Sequence, residues 1–253
     1  MNIDLTGKTA LVTGSTGELG RVIATTLAEC GADVALHYLK NKDRALQLQE
    51  QIHKLGRRAF VVQADVGDAA SVKAMGDLVR KNLGSPDILV NNAVSQYKWK
   101  AVMDQELADY EDQFRTTVAQ NVLMAQQFVP GMIEKGGGRV IAISTECAVQ
   151  CLPNHSAYVS GKRGMDGVLK VLAREIGGHG ITVNQVAPGW TISERDRLNK
   201  TENQELYNKN VPLRRRGEDK DIANAVAFLA SDLAGFITGA FVPVCGGNVM
   251  LSI

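Results

Sequence analysis

The chain has 253 residues, 45% hydrophobic and 22% charged, with a formal net charge of +1. That length suits one large domain with a substantial core. The near-neutral charge argues against broad attraction to nucleic acid or to an anionic membrane. No apolar stretch approaches the roughly 20 residues of a membrane helix. The start, MNIDLTGKTALVTG, carries an early acid and no cleavable apolar segment, so the cytoplasm is the expected compartment. Four scattered cysteines, Cys30, Cys147, Cys151 and Cys245, suit reduced thiols acting as small apolar fillers rather than a disulfide framework or a metal pair.

In chain order, apolar runs alternate with helical patterns. TALVTG (9–14) is a first strand, followed by a helix over 18–30 with Leu19, Ile23, Leu27 and Cys30 on one stripe and Gly31 as its stop. ADVALHY (32–38) precedes a helix over 42–55, where Leu46, Leu48, Ile52 and Leu55 sit among polar residues before Gly56. AFVVQAD (59–65), a helix over 69–83, DILVNNA (87–93) and a long helix over 105–135 follow. RVIAIST (139–145), a helix over 157–177, ITVNQVAP (181–188), a helix over 219–231 and AFVPVCGG (240–247) complete the alternation. The strands are nearly continuous in apolar residues, as expected when both faces are covered. The pattern predicts an α/β fold: one doubly wound domain over 1–253, with a seven-stranded parallel sheet and helices on both faces. The least regular stretch, 188–217, follows a strand on the ligand side of such a sheet and is expected to be a partly helical lid.

TGSTGELG (13–20) lies between strand and helix. In that setting Gly14 allows the tight turn, Gly17 lets backbone amides approach a pyrophosphate, and Gly20 permits close helix–strand packing. The helix N-terminus then faces the anion. Gly14, Ser15, Thr16, Gly17, Glu18 and Leu19 are therefore cofactor-binding candidates. Glu18 is the oddity, since an acid repels phosphate unless it points away. The second strand ends ALHYLKNKDR, with no acid at or near Tyr38 to bind ribose hydroxyls and with Lys40, Lys42 and Arg44 following. This favours NADP(H) over NAD(H).

YVSGK (158–162) places Tyr158 and Lys162 on one helical face. Its context is the hydroxyl-ended strand RVIAIST upstream and ITVNQVAPGW downstream, with TGSTGELG, ADV (64–66) and NNA (91–93) in the same order. Over essentially its whole length, through VPLRRRGEDKDIANAVAFLASD and the closing Gly246-Gly247, the chain resembles the short-chain dehydrogenase/reductase family. Within that family it is similar to the 3-oxoacyl-acyl-carrier-protein reductase-like members.

The resemblance implies a Rossmann-type domain and an NAD(P)(H)-dependent oxidoreductase acting on a carbonyl or secondary alcohol, including β-ketoacyl-thioester-like substrates. It implies Tyr158 as acid/base, Lys162 as its tuner and ribose ligand, and Thr145, thirteen residues before the tyrosine, as the hydroxyl that holds the substrate oxygen. A phenol with a pKa of about 10 needs such a neighbouring ammonium to work near neutrality. Asp65 and Val66 would meet the adenine. Asn92, Ala93, Pro188 and Gly189 would border the cofactor, and Ser193 would take the place of a threonine that bonds the carboxamide. Three departures stand out: threonine at 145 instead of serine, Thr117 where the family's helix asparagine belongs, with Asn121 a turn further on, and Val94 for a glycine.

The alternative is a dinucleotide-binding protein of the same fold with weakened or lost catalysis, acting as a sensor or interaction protein through Arg214–Arg216. Such an arginine run is expected to be a solvated face. Tyr97, Trp99 and Trp190 either line an apolar pocket or sit exposed in loops. His37, His53, His155 and His179 share no motif, so they are expected at the surface or in structural roles, with no metal site. The expected partners are a small carbonyl or alcohol substrate and further copies of the chain. The apolar C-terminus FVPVCGGNVMLSI points to a homo-oligomer, most simply a tetramer.

Overall fold

A computed structural model of the chain describes residues 2–251. Strands β1 (Thr9–Val12), β2 (Asp33–Tyr38), β3 (Ala59–Gln63), β4 (Ile88–Asn91), β5 (Gly138–Ile143), β6 (Ile181–Pro188) and β7 (Phe241–Val244) form one sheet of order β3-β2-β1-β4-β5-β6-β7. Every pairing is parallel, for example Val12 beside Leu36 on one side and beside Val90 on the other. The order reverses between β1 and β4, which opens a crevice at their carboxyl ends.

Helices α1 (Glu18–Glu29), α2 (Lys42–Lys54) and α3 (Ala69–Leu83) alternate with the first strands. α4 (Leu107–Gln113), a π-helical segment Phe114–Ala119 and α5 (Gln120–Glu134) connect β4 to β5. The short α6 (Cys147–Gln150) precedes α7 (Ser156–Ile176), and α8 (Glu194–Asn199), α9 (Glu205–Asn210) and α10 (Asp219–Ala230) follow β6. Side-chain oxygens of Asn41 and Asp68 cap α2 and α3 by accepting the Arg44 and Ser71 amides. Gly31 ends the α1 turn at φ +102°, and a Cβ there would lie 2.7 Å from Thr6 Oγ1.

Successive strand residues serve opposite faces. Ala10, Val12, Val34, Leu36, Val90 and Ile141 join α1, α2 and α10 in one core, whereas Leu11, Ala35, Leu89, Val140 and Ala142 join α3, α5 and α7 in the other. This explains the continuous apolar runs: both sheet faces are dry. On α2 the buried stripe is Ala45, Leu48 and Ile52, while Leu46 and Leu55 stay exposed.

The single helix expected over 105–135 is instead two α-helices joined by the π-helical segment. β7, at the sheet edge, is only half-buried. Of the apolar C-terminal run, Met250 and Leu251 are exposed, and Ser252 and Ile253 lie outside the described residues. No helix among the described residues is long and apolar enough to cross a membrane.

Candidate active site

The glycine loop leaves β1 at the β1/β4 switch point. Gly14 has φ +62°, and a Cβ on Gly20 would lie 2.2 Å from the Gly14 carbonyl oxygen, so only glycine permits this close turn. Gly17, exposed, donates its N–H to Gly14 O at 3.0 Å and precedes α1. Arg21 is the residue whose N–H reaches back to Gly17 O, so the amides of Glu18 and Leu19 belong to the first turn, which has no intrahelical acceptors. Thr16 is half-buried in the same turn. The cradle fits the pyrophosphate of a dinucleotide: glycine backbone without room for side chains, opening on a helix N-terminus. Glu18 does not oppose it, because its carboxylate accepts the Glu194 N–H of the lid at 2.7 Å.

β4 closes the cradle from the side. Asn92 Nδ2 donates to the carbonyls of Thr13 and Gly14, and the amides of Asn92 and Ala93 both donate to Thr13 Oγ1. That hydroxyl in turn donates to Gln120, whose amide nitrogen returns to Ala93 O. On the β2 side, Tyr38 is buried, and Lys40 and Lys42 are exposed. Arg44 and Arg21 both pair with Glu194 of the lid. The Asp65 carboxylate is engaged by Arg115 at 2.9 Å and accepts the Gly67 N–H, while Val66 is buried.

Thr145 follows β5, and Tyr158 sits in the first turn of α7, so both line one cavity of about 610 Å³. The Tyr158 N–H donates to Tyr97 Oη at 2.8 Å. Lys162, one turn on, is buried, with Nζ donating to Ile143 O at 2.6 Å and standing 5.7 Å from the Tyr158 ring centre. Burial pushes the Tyr158 phenol up to about 12, against a lowering by the Thr145 hydroxyl, and pulls Lys162 down to about 8. Desolvation is the largest influence on both groups.

The lid expected over 188–217 contains α8 and α9. The cavity places Trp190 and Tyr207 of this segment with Tyr97 and Trp99 of the loop after β4. The two alternatives for these rings merge: Trp99 and Trp190 line the pocket and remain about half exposed. The expectation of a solvated arginine run fails at Arg216, whose side chain is fully buried. It stacks 4.4 Å over Trp190, pairs with Asp196 at 2.8 Å and donates to Thr191 O and Thr201 O. Arg216 thus holds the lid together. Arg215 pairs with Asp221 at the surface. Of the cysteines, Cys245 is buried but Cys151 is exposed and not a core filler.

Comparison with known proteins agrees with this geometry. A family model described as enoyl-(acyl carrier protein) reductase matches residues 15–248. A 3-oxoacyl-[acyl-carrier-protein] reductase of Staphylococcus aureus is 40% identical over 243 residues, covering 96% of this chain and 98% of the relative. The chain belongs to the short-chain dehydrogenase/reductase family. The crystal structure of L-sorbose reductase from Gluconobacter frateurii, complexed with NADPH and L-sorbose, superposes with a TM-score of 0.91 at 29% identity over 100% of both chains. A 7α-hydroxysteroid dehydrogenase complexed with NADH and 7-oxo glycochenodeoxycholic acid gives 0.89 at 33%, covering 98% of this chain and 96% of its own. As a short-chain dehydrogenase/reductase, the protein is a nicotinamide-dinucleotide-dependent oxidoreductase of the carbonyl/alcohol class. These relatives lend nothing to the sensor alternative.

Within this short-chain dehydrogenase/reductase, the departures have definite places. Thr117 lies in the π-helical segment, buried, with its hydroxyl donating to Gln113 O, and a Cβ on Gly161 of α7 would lie 2.6 Å from that hydroxyl. Asn121 is not at the surface: it is buried, accepting from Asn91 at 2.7 Å and donating to Thr117 O. Val94 is half-buried. Pro188 O accepts the Glu146 N–H, and Gly189 N–H donates to Val244 O. The Ser193 hydroxyl accepts the Asp196 amide as the cap of α8, and a capping box closes with the Asp196 carboxylate. It is thereby occupied within the lid.

His37 has one of the structural roles expected of the histidines, and its place against the glycine loop is new: buried, it accepts the Gly14 N–H on Nδ1 at 2.9 Å while Nε2 faces Ala64 O at 3.0 Å. The available signal was a lone imidazole inside the apolar run VALHY, one residue from the cofactor end of the strand. Among the described residues no group of three or more His, Cys, Asp or Glu side chains could hold a metal ion.

Proposed function

We propose that the protein is an NADP(H)-preferring oxidoreductase that interconverts a small carbonyl compound and its secondary alcohol, with Tyr158 as acid/base. The observation that carries this reading is the convergence of Thr145 and Tyr158 on one cavity, which Ser95 of the loop after β4 and Gly189 after β6 also line. The cradle and the amides of Glu18 and Leu19 would hold the pyrophosphate, and Asn92, Ala93, Pro188 and Gly189 would border the nicotinamide side. When bound, the nicotinamide supplies or accepts the hydride.

The chain's own residues handle the proton. Thr145 orients the carbonyl oxygen through its hydroxyl, and Tyr158 delivers its phenolic proton to the developing alkoxide. A phenol held up at about 12 is in the protonated form that reduction needs, and a lysine near 8 is mostly an ammonium at neutral pH. Lys162 therefore supplies positive charge on the tyrosine's side of the site and a donor for the ribose.

The cofactor preference rests on Lys40, Lys42 and Arg44 and on the lack of an acid around Tyr38. A panel of carbonyl substrates with NADPH and NADH, followed at the nicotinamide absorbance, tests both points. No turnover with either cofactor overturns the catalytic reading, and equal kcat/KM with both overturns the preference.

We further read the protein as a cytoplasmic homotetramer. Phe114, Val171, Phe236 and Met250 are exposed apolar side chains on the helical and C-terminal surfaces that a partner copy would cover. A monomer by light scattering at micromolar concentration refutes the assembly.

A further inference from the structure

The cavity wall contains a charge that the proton-transfer chemistry does not use. Glu146 follows Thr145 and is only 4% exposed, yet it lines the cavity. Its Oε1 accepts the Tyr207 hydroxyl at 3.0 Å and its Oε2 accepts Asn248 Nδ2 at 2.9 Å. Both donors are neutral, and among the described residues no lysine, arginine or histidine forms a salt bridge with the carboxylate. Burial raises the pKa of this carboxyl, and the hydrogen bonds from Asn248, Tyr207 and the Trp190 N–H pull the other way. A buried carboxylate without a counter-charge is costly and gains most from a cation delivered into the same space. The rings of Tyr97, Trp99, Trp190 and Tyr207 line the cavity together with His155, which stacks on Trp99, while no lysine or arginine lines it and Arg216 stands over Trp190. Aromatic faces attract organic ammonium groups, most strongly when desolvated.

Resting on the carbonyl-reductase reading above, we propose that the substrate class is amino ketones and amino alcohols: carbonyl compounds carrying a protonated or quaternary amine. Thr145 and Tyr158 receive the carbonyl, and Glu146 with the surrounding rings receives the ammonium group. Glu146 is thus a specificity-determining residue, and anionic keto acids are excluded by its charge. Because each carboxylate oxygen has a second lone pair, an ammonium can bind without displacing Tyr207 or Asn248.

The test uses the chain's two tryptophans, both of which line this cavity. Tryptophan fluorescence is titrated with choline and with its neutral carbon isostere, dimethylbutanol. Choline is expected to bind roughly tenfold more tightly, and equal or weaker binding overturns the proposal. Glu146→Gln, which keeps an acceptor for Tyr207, should erase the difference, whereas Tyr207→Phe, which leaves the charge in place, should retain it. An unaltered ratio in Glu146→Gln overturns the role of the carboxylate. The wild-type ratio decides the preference even if the glutamine variant does not fold.

In parallel, kcat/KM with NADPH is compared for N-methylpiperidone, methylcyclohexanone and oxocyclohexane carboxylate, with the expected order cationic, neutral, anionic. A neutral ketone reduced as well as the cationic one, or acetoacetyl thioester preferred to both, overturns the substrate class and leaves the reductase reading standing. If no carbonyl compound is reduced, that reading fails, while the choline titration still decides the site.

Discussion

The imidazole of His37 accepts the backbone N–H of Gly14 at 2.9 Å, so the first glycine of the cofactor cradle is held by a side chain from the neighbouring strand. The Ser15 N–H and hydroxyl both donate to the His37 carbonyl. The acceptor role requires Nδ1 unprotonated, with the proton on Nε2 toward Ala64 O. Burial lowers the imidazole pKa from its ordinary 6.5 and favours that neutral form.

His37→Phe should therefore leave the Gly14 amide without its partner, at about 1–3 kcal/mol, and raise the NADPH dissociation constant roughly tenfold in calorimetry. Below the ordinary 6.5 the unfolded chain takes up a proton that the native imidazole resists. Stability should thus fall as pH drops from about 6.5, and less so in the phenylalanine variant. Unchanged cofactor affinity would show that the glycine loop holds itself.

Tyr158→Phe removes one hydroxyl from the cavity and nothing from the cradle. Turnover should drop by about 10²–10⁴-fold with cofactor affinity retained. Thr145→Ser should be tolerated, whereas Thr145→Val should approach the loss seen for the tyrosine variant. Wild-type rates in Tyr158→Phe on an established substrate would remove it from the mechanism.

Thr117→Asn tests whether the threonine limits proton supply. The position is buried against Gly161, next to Lys162 in α7. The expected result is a rise in kcat without a change in cofactor affinity. A fall in kcat together with a lower melting temperature would mean that threonine is the residue this packing requires.

The lid shares a charge with the first turns of α1 and α2. Glu194 pairs with both Arg21 and Arg44, and its N–H is taken by Glu18. Arg44→Ala should weaken NADPH binding several-fold and leave NADH nearly untouched, since a 2′-phosphate needs positive charge and a ribose hydroxyl does not. Parallel losses for both cofactors would place Arg44 in lid docking alone.

Lys162 should be visible in the pH dependence of stability. Its pKa is pulled to about 8 from 10.5 in the folded protein. Between those values the unfolded chain binds the extra proton, so this group makes stability rise with pH, by up to ~3 kcal/mol across the window. Lys162→Met should flatten that rise in denaturant titrations between pH 8 and 10.5. An identical slope in the variant would show that Nζ keeps its proton on the Ile143 carbonyl.

Much of this was legible in the chain. Apolar runs such as TALV and DVALHY are buried along their whole length, because a parallel sheet covered on both faces leaves no polar side to reveal. Gly31 stops α1 as expected, and Tyr158 and Lys162 share a helix because their spacing is local. The break in the helix expected over 105–135 was not legible. Periodicity continues through Phe114–Ala119, and only the structure shows this π-helical segment packing Thr117 against Gly161 and Val118 against Gly164 of α7.

The features that the sequence by itself determined are those that follow from neighbours within a turn or a strand: the tight glycine turn between β1 and α1, the shared helix of Tyr158 and Lys162, and the alternation of strand and helix. Only the tertiary structure decided the rest. Arg216 is one of three adjacent arginines, and nothing local distinguishes it; it is buried because Trp190, Asp196 and the carbonyls of Thr191 and Thr201 meet there. His37 acquires its role from a loop 23 residues away, and Glu146 from Tyr207 and Asn248, 61 and 102 residues away. Such contacts carry no periodicity, since the chain pays the entropy of closing those loops only when the whole sheet forms.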